Sequence, residues 1–153
     1  LEDQIPKHLP IRIKIRKEKE ASFKDLKNAN WARELEIEVT NTGEQDIYFL
    51  SLGIFLPEIK AEDGKDISFP LYYGREELAN LPARARPGDV PIKPHETWIF
   101  KLLENNVLGY EAFSRKRKWV SPKKVVVHFR RLNFGDGTGF EGWGGTFLPQ
   151  SPK

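Results

Sequence analysis

The sequence predicts an all-β chain folded as an antiparallel β-sandwich, with one short helix near 106–118. Three observations carry this. Between residues 33 and 146 the apolar side chains fall into short segments of period two, the spacing of half-buried strands. Gly, Pro, Asn and Asp separate those segments at turn-like positions. No internal repeat and no domain linker interrupts the series, so a single domain over 1–153 is expected, with flexible ends at 1–9 and 148–153. About seven to nine strands suit the class.

The elements follow in order. Pro6 and Pro10 hold the lead-in extended. In 11–20, Ile11, Ile13 and Ile15 share one face and Arg12, Lys14 and Arg16 the other. Residues 21–30 are polar and read as a loop or a short turn of helix. Next, Leu35, Ile37 and Val39 point inward and Glu34, Glu36 and Glu38 outward, until Asn41-Thr42-Gly43 ends the strand. If these first two strands pair antiparallel, basic and acidic rows oppose each other and set register.

Segment 47–56 is apolar on both faces, with Ile47, Phe49 and Phe55 on one side and Tyr48, Leu50, Leu52, Ile54 and Leu56 on the other. One face is core. The second must be covered by a loop, a helix or another subunit. Asp63-Gly64 marks a turn between short strands at 57–61 and 66–73. Residues 78–96 hold four prolines with Arg84 and Arg86, a long irregular loop of the kind that often carries function. Trp98, Phe100 and Leu102 alternate inward in 97–103. Asn105 or Asn106 caps the helix through Lys118. Val125, Val127 and Phe129 face inward in 123–132, and Gly135-Asp136-Gly137 turns the chain into a last strand over 138–147.

Composition narrows function mainly by exclusion. With 39% hydrophobic and 31% charged residues the chain belongs with folded globular proteins. No apolar run approaches the roughly 18 residues of a membrane span. A net charge of +3 is too balanced to imply nucleic acid. The lack of cysteine removes disulfides, thiolate nucleophiles and cysteine-bound metals. Methionine is also lacking, including an initiator; a removed signal peptide and a cloning boundary explain this equally.

Segment 36–49 (EIEVTNTGEQDIYF) resembles the second-to-third strand hairpin of bacterial immunoglobulin-like, adhesion-type domains, and 93–102 (KPHETWIFKL) resembles their later turn and strand. FGDGT at 134–138 is similar to a turn of polycystic-kidney-disease repeats, although there it sits mid-domain and here only one strand follows. The resemblance implies an immunoglobulin-like sandwich acting as an adhesion, spacer or assembly module, and it brings no catalytic residue.

Candidate sites are surfaces rather than constellations. Exposed aromatic rings give carbohydrate-binding sandwiches their stacking platforms. Trp143, among glycines, with Trp31 and one of the adjacent Tyr72 and Tyr73, are the candidate ligand residues. Arg115, Lys116, Arg117 and Lys118 form the densest basic cluster and are the candidate polyanion contact, although a solvated helix end is the favoured account of them. His8, His95 and His128 lack metal-ligand spacing, and turn chemistry accounts for Asp136 without calcium shared with Glu141. There is no Gly-x-Ser-x-Gly elbow, phosphate loop or dinucleotide fingerprint.

The expected function is therefore a non-catalytic structural or protein-interaction module, with no cofactor and no metal. Its contact surface would be the apolar back of 47–56, the loop 78–96, or both, used for a protein partner or self-association. It is expected in the periplasm, at the cell surface or secreted. A carbohydrate-binding module with an exposed aromatic platform is the alternative. Nucleic acid is disfavoured because only Trp119 neighbours the basic cluster.

Overall fold

A computed structural model describes residues 2–15, 31–60, 64–116 and 124–149. Two antiparallel sheets face each other across one apolar core. The smaller sheet has the order β2 (Ile11–Ile15), β3 (Ile37–Asn41), β6 (Thr97–Phe100). The larger runs β5 (Asp66–Tyr73), β4 (Phe49–Lys60), β7 (Val126–Asn133), β8 (Gly139–Glu141), β9 (Thr146–Leu148). A two-residue strand, β1 (Glu2–Asp3), pairs parallel to β7 at Val126 and Val127. The described residues thus form a sandwich-like all-β body with two helices, α1 (Trp31–Glu34) and α2 (Glu104–Lys116).

Alternation builds the small sheet. Ile15 pairs with Ile37 and Ile13 with Val39, while Lys14 stands opposite Glu38 and bridges it at 3.4 Å. The two strands pair antiparallel, but only Lys14 of the expected basic row opposes a glutamate, since Arg12 stands opposite Thr40; an exposed pair of this kind adds only about 0.2–1 kcal/mol. Glu34 departs from the expected acidic row because it ends α1 instead of starting a strand. Arg16 and residues 21–30 lie outside the described residues.

In the large sheet, Leu50, Leu52, Ile54 and Leu56 of β4 are wholly buried between the sheets. Leu52 pairs with Leu71 on one side and Phe129 on the other; Ile54 pairs with Phe69 and Val127. In place of two strands at 47–56 and 57–61, β4 runs unbroken from Phe49 to Lys60, where Lys60 pairs with Asp66 of β5.

α2 begins two residues before the expected start. The Leu103 carbonyl accepts the amides of Asn106 and Val107, which places the asparagines inside the first turn rather than at the cap. Val107 and Tyr110 face the core, where Tyr110 meets Phe69 edge-on at 5.8 Å. Ala32 and Leu35, in and after α1, join the same core, and Arg33 reaches Glu104 and Glu111 of α2 at 3.0 and 2.6 Å.

The proline-rich loop is fastened along its length. Buried Asn133 donates to the carbonyls of Leu78 and Ala83 and accepts the Gly135 amide; buried Asn41 donates to the carbonyls of Gln45 and Ile92. Ile47 bridges Ile92, and the Tyr73 hydroxyl donates to the Val90 carbonyl at 2.5 Å. Trp98 differs from its expected core position. It faces inward opposite Val39, but β6 is an edge strand, so Trp98 stays 44% exposed and leans on Tyr73.

Candidate functional site: a groove on the outer face of the large sheet

The outer face of β4 presents Phe49, Ser51, Gly53 and Phe55. The chain covers much of this second apolar face itself. Gly53 has no side chain, and the His128 ring from β7 lies over it; a Cβ there would collide with the imidazole. Trp143 then stacks on His128, with ring centroids 4.0 Å apart and planes 8° from parallel, and Phe55 packs against both rings. Expected as a partner surface, this face is mostly a pedestal for one tryptophan.

The turn that carries Trp143 divides the expected last strand. Gly142 and Gly145 have φ of 85° and 65°, left-handed angles that only glycine takes without strain, so β8 and β9 form a hairpin in place of one continuous strand. The hairpin sets Trp143 above the sheet, 56% exposed on the side away from His128.

Beside Trp143 lies a depression of about 530 Å³, within the range of small-ligand sites. Phe49, Ser51 and Pro70 belong to its floor strands, and Tyr72, Glu76, Arg130, Arg131, Glu141 and Trp143 line it as well. Tyr72 pairs with Ser51, Ser51 with Arg131, and Arg131 with Glu141, so one row crosses four strands. Arg131 ion-pairs with Glu141 and donates to the Ala79 carbonyl at 2.5 Å. A second depression, about 460 Å³, shares Glu76, Ala79, Arg131 and Glu141 and continues to Pro82 and Leu148. The two depressions adjoin at the Arg131–Glu141 pair, and the first, which holds Trp143, is termed the groove.

Tyr72 and Trp143 are thus brought to a single groove. Tyr73 points to the opposite side, where burial raises its phenol above the ordinary range, with the Glu96 charge acting the same way. Trp31 opens α1, and its side chain lies outside the described residues. Arg115 and Lys116 are exposed in the last turn of α2, complementing the helix dipole; Arg117 and Lys118 lie outside the described residues.

The acids near the last turn have separate partners. Asp136 accepts the Thr138 amide and hydroxyl, which lowers its carboxyl below the ordinary range, while Glu141 is held by Arg131. Among the described residues no group of three or more His, Asp or Glu side chains is placed to hold a metal ion.

Sequence reasoning missed Arg130 and Arg131 as groove residues and His128 as the support beneath Trp143, yet a signal was present. Inward positions run 125, 127, 129 and then 132, a break in parity that marks a β-bulge. Comparisons with protein-family models, with curated proteins and with solved structures match nothing to this chain.

Proposed function

We propose that this chain is a non-catalytic binding module of β-sandwich type, and that its groove takes a saccharide chain. The observation that carries the reading is the pairing of Tyr72 and Trp143, 50% and 56% exposed, in one groove with hydrogen-bonding side chains between them. Sugar rings bind by laying apolar C–H faces on aromatic rings while hydroxyls reach charged and polar groups. The Arg131–Glu141 pair supplies donors and an acceptor held in place, and Ser51 adds a hydroxyl. A polysaccharide ligand fits a periplasmic, cell-surface or secreted location.

Glycan-array screening followed by calorimetry tests this. Wild type should bind an oligosaccharide without cleaving it. Trp143→Ala should weaken binding about 10- to 30-fold, as loss of roughly 1.5–2 kcal/mol of buried aromatic face requires. An array without a hit, or affinity indifferent to both Trp143→Ala and Tyr72→Ala, removes the reading.

A protein-interaction reading has separate support at β6, the edge of the small sheet. Trp98, Ile99 and, on the adjoining loop, Val90 are 44%, 36% and 71% exposed there. An extended partner segment paired to that edge would use these apolar contacts. Loss of partner capture on Trp98→Lys would support it over the groove.

A further inference from the structure

Resting on the groove as the binding surface, we propose that its saccharide is acidic, with a sugar carboxylate received by Arg130. The bulge in β7 is the first observation. Leu52 faces Phe129 and Ser51 faces Arg131, so Arg130 is the extra residue without a partner on β4. In a regular strand Arg130 and Arg131 would point to opposite faces, and one guanidinium would enter the core. The bulge turns both into the same depression. Bulges re-aim side chains beside sites in this way.

The second observation is the difference between the two arginines. Arg131 is committed to Glu141 and to the Ala79 carbonyl. Arg130 is exposed and makes no side-chain hydrogen bond or ion pair among the described residues. Its backbone is nevertheless fixed, because its carbonyl accepts the Gly142 amide at 2.9 Å, directly before Trp143. A planar cation with five donors therefore stands beside an exposed indole. That combination matches a uronate, whose ring lies on the indole while its carboxylate meets the guanidinium fork in a bidentate pair. A neutral sugar leaves the cation unused.

The remaining acids position the charge. Glu141 is neutralised by Arg131. Glu76 opens the short 3₁₀ turn Glu76–Ala79, whose Leu78 carbonyl accepts from Asn133 at the far end of β7. Its carboxylate disfavours a second ligand charge there and favours a hydroxyl. The ligand's carboxylate thus belongs at the Trp143 end.

The test is calorimetry at low salt with tetramers of galacturonate, mannuronate and glucuronate, their methyl esters, and the neutral galactose, mannose and glucose tetramers. Wild type, Arg130→Gln and Trp143→Ala are compared, with thermal melts as folding controls. At least one uronate should bind about 10- to 100-fold more tightly than its ester, the worth of a charge-assisted pair. Arg130→Gln should bring acid binding down to the level of the ester, and Trp143→Ala should weaken acid and ester alike. Equal binding of acid and ester, or a preference that survives Arg130→Gln, overturns the inference and leaves the groove reading standing. No binding by any of the tetramers overturns both.

Discussion

The imidazole of His128 lies parallel to the indole of Trp143, with centroids 4.0 Å apart, and the backbone of Gly53 forms its seat. This stack links the middle of the large sheet to the groove wall. Whatever disturbs the seat should move the wall.

Gly53→Ala is the direct disturbance. The added methyl collides with the imidazole, which must leave its position and take Trp143 with it. Overpacking of this kind costs about 1–3 kcal/mol. Chemical denaturation should show that loss, and Trp143 emission should shift even where the protein remains folded. An unchanged spectrum would mean that the stack does not depend on Gly53.

Acid should loosen the same stack. Burial holds His128 below the ordinary imidazole range, and the Arg130 cation pushes the same way. The neutral ring is the form the fold accepts, so the unfolded chain takes up the proton first. The stability this ring provides is complete above the unfolded value of about 6.5 and is lost as pH falls below it towards the lowered folded value. Urea midpoints measured between pH 7.5 and 5 should fall for wild type and fall less for His128→Gln. Equal slopes would contradict this.

From a wholly buried side chain, Asn133 ties the proline-rich loop to the sheet by donating to the Leu78 and Ala83 carbonyls at 2.9 and 3.1 Å, and it accepts the Gly135 amide of the following turn at 2.7 Å. Asn133→Ala leaves buried backbone groups unsatisfied and should cost about 2–4 kcal/mol. Asn133→Asp should do no better, because it removes both donated bonds and buries a charge. Amide exchange should quicken first in residues 78–85 if the side chain has this role.

His95 has a φ of 70° at the third position of a turn whose Glu96 amide donates to the Lys93 carbonyl. Pro94 suits the second position, and glycine suits the third. His95→Gly should therefore leave stability unchanged or raise it by up to about 1 kcal/mol, whereas His95→Val should lower it by about 1–2 kcal/mol. Thermal melts of the two variants distinguish this from a role for the imidazole itself.

Much of the sandwich was legible because alternation reports burial directly. Ile13 and Ile15 against Val39 and Ile37, and Lys14 against Glu38, follow from period two alone. The groove was legible only in part. Trp143 stood out among glycines, but those glycines read as the middle of a strand, since the sequence does not display a positive φ. The Arg130 bulge shows as a one-residue slip that is easily passed over between two arginines. β1 is two residues long, too short for any period. The second apolar face of β4 suggested a partner because its covering, the His128–Trp143 stack, comes from residues some 75–90 positions further along the chain.

Amide and indole shift mapping by NMR, with a bound oligosaccharide titrated into labelled protein, tests the groove most directly. The expected result is perturbation centred on Trp143, Tyr72, Ser51 and Arg131, with the small sheet unaffected. Shifts centred instead on Trp98, Ile99 and Val90 would contradict it and move the working surface to the opposite sheet's edge.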